Sequence, residues 1–219
     1  MANAEQLLIV ASWWEPPIWL ELIDRYLISA ALHKLEPIIC VNKVDLAMEE
    51  EDLDEEMDPY TSIGYRVILT SAADGVGVDE VAEALRGKLT VLAGLSGVGK
   101  SSLLAAVQPG LDLKVAEVSD YWQQGRHTTT QVTMHPLEMG GYVVDTPGIR
   151  EFGLSGLFRG DLASFYPEFL AAGRCQYPDC IHIEEPGCAV KKAVEEERLP
   201  FIRYDNYIKI YETLPEFTP

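Results

Sequence analysis

Residues 94–102 read Gly94-Leu95-Ser96-Gly97-Val98-Gly99-Lys100-Ser101-Ser102. Glycine, four residues, then Gly-Lys-Ser is a spacing whose chemistry is phosphate binding. The glycines let successive backbone N–H groups turn inward around an anion, and a helix starting near the lysine adds the positive end of its dipole. Lys100 supplies a point charge to β- and γ-phosphates, and the Ser101 hydroxyl is placed to ligate Mg²⁺. An apolar run at 89–93 precedes this loop and Leu103-Leu104 follow it, which is the strand–loop–helix setting it requires.

Three more polar segments end apolar runs. Asn42-Lys43-Val44-Asp45 follows 37–41. A carboxylate at Asp45 can accept from the N1–H and the exocyclic amine of guanine, a pair that adenine does not offer. Asn42 can tie neighbouring loops together, and the Lys43 stem can cover the base. Ser71-Ala72 follows 66–70 and can give a backbone N–H to the guanine O6. Asp145-Thr146-Pro147-Gly148 follows 142–144, where Asp145 can hold the Mg²⁺ shell and the Gly148 N–H can meet a γ-phosphate. Between them, Gly125-Arg126-His127-Thr128-Thr129-Thr130 is expected to be the first switch, with Thr129 completing the Mg²⁺ shell. Together these signals read as a GTPase. Ras-like enzymes place a water-orienting Gln directly after the switch II glycine, but here that residue is Ile149, which cannot hydrogen-bond water. His127 is the candidate to orient the water or accept its proton; the alternative is a histidine that caps or packs its loop.

Near the C-terminus stands Cys175-x₄-Cys180-x-His182-x₅-Cys188. Three thiolates and one imidazole make a full tetrahedral set for Zn²⁺ with no position left for water, so the expected metal is structural. Cys40 lies in an apolar run and is expected in the core; His33 and His135 are given no role.

The elements that must position these groups follow from periodicity. Residues 6–11, 37–41, 66–70, 89–93 and 142–144 read as buried strands. Residues 18–34 and 78–85 read as helices, another helix starts near Lys100, and an amphipathic stretch covers 200–214. The acidic run at 49–58 is expected to be a solvated helix or loop. Strands alternating with helices give an α/β fold with a mostly parallel sheet flanked by helices. The expected division is a GTPase domain over 1–157 and a small helical zinc-binding domain over 158–219.

Motif order is the distinctive feature. Ordinary GTPases carry the phosphate loop first, then the switches, then the base motif; here 42–45 and 71–72 precede 94–101, and 145–148 come last. The chain is a circular permutation of that order, and its assembled pocket does not depend on where the chain is cut. Switch II then runs directly into the C-terminal segment, so loss of the γ-phosphate is expected to reorient that segment through residues 149–158.

Composition sets the limits. The 219 residues are 47% hydrophobic and 24% charged, which excludes a mostly disordered chain. A formal net charge of -18 repels phosphate backbones at long range, so any contact with nucleic acid needs a local patch or a protein partner. The N-terminus lacks the basic start and apolar core of a signal peptide, and no run approaches the ~20 apolar residues of a membrane span. A cytoplasmic monomer is expected.

The permuted order, the Cys₃His cluster after switch II, and the segments 125–130 and 145–154 together resemble the ribosome-small-subunit-dependent GTPase A family (RsgA, also called YjeQ). The resemblance covers essentially the whole chain. It implies a GTP hydrolase that acts late in small-subunit maturation, is stimulated by that subunit, binds rRNA and helps release assembly factors. It also implies GTP binding by 42–45 and 94–102, zinc binding by Cys175, Cys180, His182 and Cys188, and a water-assisting role for His127. Family members usually carry an OB-fold domain ahead of the GTPase domain, whereas this sequence opens almost directly on the first GTPase strand. The second reading is therefore a module that binds GTP or GDP with negligible turnover. A third, an ATP-binding protein with an unrelated zinc tail, requires Asp45 to be accidental.

Overall fold

In the computed structural model, residues 3–48, 50–111, 133–145, 154 and 156–216 are described. The chain begins with strand β1 (Gln6–Ser12), helix α1 (Leu20–His33) and strand β2 (Glu36–Asn42). Helix α2 (Glu50–Thr61), strand β3 (Arg66–Leu69), helix α3 (Val78–Leu85), strand β4 (Leu89–Ala93) and helix α4 (Lys100–Val107) follow. Strands β5 (Thr133–Pro136) and β6 (Tyr142–Asp145) complete a six-stranded sheet in the order β3-β2-β1-β4-β6-β5. β5 pairs antiparallel with β6; the other pairings are parallel.

The central strands are apolar at successive positions because both faces are covered. Leu8 and Val10 of β1 join Ile38, Cys40 and Leu92 on one face, against α3 and α4. Leu7 and Ile9 point the other way, joining Ile39, Val41 and Val91 against α1 and α2. Each such side chain contributes about 1.5–3 kcal/mol by leaving water. The acidic run is a helix, and not wholly solvated. Leu53, Met57 and Tyr60 stand at helical spacing on one face of α2 and are buried, while most of the carboxylates take the other face. β5 was not expected: four residues ending in Pro136 carry little strand signal, and their place on the sheet edge comes from the hairpin with β6.

The C-terminal segment is helical, with a 3-10 stretch at Arg159–Phe165 and helices α5 (Pro167–Ala171), α6 (Ala189–Glu195) and α7 (Phe201–Thr213). Its core gathers Leu162, Tyr166, Phe169, Val190, Tyr207 and Ile210, and reaches Ile28 of α1. Beside that contact lies a buried polar knot. Arg203 of α7, 1% exposed, donates to Asp24 of α1 and, at 2.7 Å, to Glu168 of α5. Asn206 donates to the other Asp24 oxygen at 2.9 Å, and the guanidinium lies over the Tyr166 ring, 4.7 Å from its centre. Among the described residues, no helix is long and apolar enough to cross a membrane.

Candidate nucleotide site and metal centre

The carboxyl ends of β2 and β4 flank that of β1, which brings the base motif and the phosphate loop to one edge of the sheet. β4 runs into the loop through Gly94, whose φ of +140° suits glycine and where a Cβ would stand 2.1 Å from Val10 O. The loop ends at α4, whose first residue is Lys100. Lys100 Nζ donates to Gly94 O at 2.9 Å and Leu95 O at 2.8 Å, so the ammonium is held inside the curve of the loop. Val98 is buried, while Ser101 and Ser102 open the helix on its exposed side.

Asn42 is the knot between three segments. Its Nδ2 donates to Val98 O at 3.0 Å, and its Oδ1 accepts from Thr70 Oγ1 at 3.2 Å and from Ala72 N–H at 3.1 Å. Lys43 is left-handed, with φ of 63°, and leads into a 3-10 turn at Val44–Leu46 that carries Asp45. Ser71 Oγ donates to Asp45 Oδ1 at 2.6 Å, which orients the carboxylate. The serine side chain thus serves Asp45. The backbone N–H groups of Ser71 and Ala72 are engaged by Val76 O and Asn42 Oδ1 respectively. Cys40 is buried in β2, where burial pushes its thiol up to about 12, as suits a core residue. His33 Nδ1 meets Ser29 O at 2.8 Å, and His135 sits on β5.

His127, Thr129 and the rest of 125–130 lie outside the described residues, as do Thr146–Gly148 and Ile149. Asp145 is placed as the last residue of β6.

The second cluster is compact. Ligand atoms of Cys175, Cys180, His182 and Cys188 all lie within 4.8 Å of one another. His182 Nδ1 is 3.5 Å from Cys175 Sγ, 3.5 Å from Cys180 Sγ and 3.3 Å from Cys188 Sγ, and the Cys175 and Cys188 sulfurs are 3.9 Å apart. A tetrahedral Zn²⁺ with ordinary bond lengths needs sulfur–sulfur edges of about 3.8 Å and sulfur–nitrogen edges of about 3.6 Å. The four groups therefore fit the ion. Burial, partly countered by the Glu185 charge, holds His182 below its ordinary value, so its ring is neutral and offers a lone pair.

Residues outside the ligand set shape this loop, and the sequence did not single them out. Glu185 accepts from Ile181 N–H at 2.7 Å and Ile183 N–H at 3.1 Å, fixing the turn through left-handed His182. Tyr204 and Tyr207 of α7 donate to His182 O and Ile181 O, both at 2.7 Å. No spacing in the sequence ties these two tyrosines to the loop, since their partners stand more than twenty residues away.

The RsgA GTPase family model matches residues 1–155. The chain belongs to the RsgA GTPase family. A relative from Thermotoga petrophila, the small ribosomal subunit biogenesis GTPase RsgA, is 42% identical over 216 residues, 98% of this chain and 72% of that one. YjeQ from Thermotoga maritima has a similar structure, with a TM-score of 0.81 and 36% identity over 96% of this chain and 71% of that chain. YloQ, described as a circularly permuted GTPase, aligns with a TM-score of 0.77 and 32% identity over 98% of this chain and 71% of its own. The permuted α/β fold expected from motif order is thus the fold found in this GTPase.

Proposed function

We propose that this chain hydrolyses GTP to GDP and phosphate in the maturation of the small ribosomal subunit, with the subunit stimulating turnover. The observation that carries the nucleotide half is the Asn42 knot, which joins the base motif, the Ser71-Ala72 turn and the phosphate loop into one edge. The subunit half rests on the name of the Thermotoga petrophila relative.

In this reading guanine lies against Asp45, whose second oxygen and Oδ1 face its N1–H and amine, while Ala72 N–H is shared between Asn42 Oδ1 and the guanine O6. Residues 94–102 wrap the phosphates, which compete with Gly94 O and Leu95 O for the Lys100 ammonium. Ser101, Thr129 and Asp145 are the residues that would hold Mg²⁺, and Gly148 N–H would meet the γ-phosphate. Bound Mg²⁺ neutralises phosphate charge. His127 orients the attacking water, because Ile149 cannot. Residues 158–219 form a small helical zinc-binding domain in which Cys175, Cys180, His182 and Cys188 hold one structural Zn²⁺.

Exchange of one group tests the base assignment. In Asp45→Asn an N–H₂ donor and a carbonyl replace the paired acceptors. GTP binding is expected to fall by about 100-fold while a xanthine nucleotide, which carries an acceptor where guanine carries its amine, gains affinity. Competition by ATP equal to that by GTP in the unaltered chain would contradict the assignment.

A further inference from the structure

β1 stands between β2, which ends in the base motif, and β4, which leads into the phosphate loop. A nucleotide whose base meets Asp45 and whose phosphates meet 94–101 must cross the carboxyl end of β1. Residues 13–19, Trp-Trp-Glu-Pro-Pro-Ile-Trp, begin there.

This loop is fastened to both halves of the edge. Trp13 N–H donates to Asn42 O at 2.8 Å, and Lys43 Nζ donates to Glu15 O. Pro16 Cδ lies 3.6 Å from the point where a Cβ on Gly97 would stand, so the loop abuts the phosphate loop itself. From below, Ser12 fixes its shape: the hydroxyl of this residue, 1% exposed, donates to Pro16 O at 2.6 Å. Ile18 N–H closes the turn onto Trp13 O at 3.2 Å. The two residues joined by the Lys43–Glu15 hydrogen bond are both left-handed, with φ of 63° and 57°. Side chains with a Cβ disfavour that conformation, and it persists where surrounding contacts over-determine it, commonly at ligand sites.

We propose that residues 13–19 are a third wall of the nucleotide site and that Ser12 is a positioning residue for it, acting through the Glu15 carbonyl on Lys43. This rests on the nucleotide-site assignment above. A lysine whose ammonium is anchored keeps its methylene stem extended as a surface for the base. A lysine with a solvated head must be ordered by each incoming ligand, which weakens binding. Ser12 holds Pro16, and with it the adjoining Glu15 carbonyl that anchors Lys43. No contact of Ser12 with nucleotide is required.

The test compares the 219-residue chain with Ser12→Ala and Ser12→Thr. Dissociation of a fluorescent GDP analogue is read by stopped flow, and GTP turnover with Mg²⁺ by phosphate release. Ser12→Ala is expected to release GDP about five- to twentyfold faster and to raise KM for GTP in proportion, with kcat within about twofold. Ser12→Thr, which keeps the hydroxyl, is expected to restore both. A purely structural role would instead lower the unfolding midpoint and kcat together. Hydrogen exchange on the unaltered chain gives an independent arm, in which the Trp14 and Glu15 amides should slow by about tenfold on adding GDP. Unchanged exchange at 13–15 alongside protection at 94–101 would overturn the wall while leaving the nucleotide site standing, as would wild-type release and KM in Ser12→Ala. Failure of the unaltered chain to bind GDP would overturn both.

Discussion

Asn42, 1% exposed, makes three hydrogen bonds to two other segments, the phosphate loop at Val98 and the turn at Thr70–Ala72. Removing it leaves Val98 O and the Thr70 hydroxyl without that partner in a buried setting, at a cost of about 1–3 kcal/mol. Asn42→Ala is therefore expected to lower the unfolding midpoint by several degrees and to weaken GDP binding by at least about tenfold, measured by thermal melts and fluorescence titration. A change in melting alone would mean that the knot stabilises the fold without organising the site. The role of Asn42 as a tie was legible in the sequence, because an amide after a buried strand and beside a glycine loop has both a donor and an acceptor to spend there. The hydroxyl of Ser71 on Asp45, at 2.6 Å, was not, since the sequence pointed to its backbone instead. Glu185, Tyr204 and Tyr207 were invisible for a related reason. Their partners are backbone atoms of 181–183, and no spacing rule connects a helix tyrosine to a carbonyl over twenty residues away.

At the scale of elements, the buried strands could be read from their apolar runs, and α3 from its period. What escaped was set by packing against neighbouring elements and not by the segment's own residues. β5 is a strand because β6 lies beside it, and α2 is anchored by Leu53, Met57 and Tyr60 among residues that otherwise look solvated. The cysteine loop is a third case: its spacing picked out the four side chains that meet in the fold, and the hydrogen bonds from α7 that hold its backbone were not legible. A structural metal would stabilise a loop with few apolar side chains of its own. Stripping the protein with a strong chelator is expected to release about one zinc per chain and to lower the unfolding midpoint, with readdition of zinc restoring it. Hydrogen exchange should rise first at 175–188 and then along α6 and α7. A chain that holds no zinc as purified, or melts identically after chelation, would contradict a structural Zn²⁺.

At the scale of the whole molecule, the buried Arg203 knot joins the C-terminal helices to α1. Desolvation pushes the Asp24 carboxyl up to about 6 from its ordinary 3.8, against the pull of Arg203. Between those values the folded chain holds a proton that the unfolded chain has released. The stability from this group is thus fully present below the unfolded value and is lost as pH rises through about 6. Asp24→Asn cannot titrate, so urea unfolding from about pH 4.5 to 7 should show the wild type losing stability relative to the variant as pH rises. A difference independent of pH would contradict the assignment. The permuted order was legible from motif positions alone, because each motif ends a strand wherever the chain is cut. The knot was not, because its members stand at 24, 168, 203 and 206 and meet only in the fold. The central claim, a GTPase coupled to the small ribosomal subunit, is tested most directly by GTP turnover of this chain with Mg²⁺, with and without purified small subunits. The account predicts slow hydrolysis alone and stimulation of at least about tenfold by the subunits. Tight GTP binding with turnover unchanged by them would contradict it.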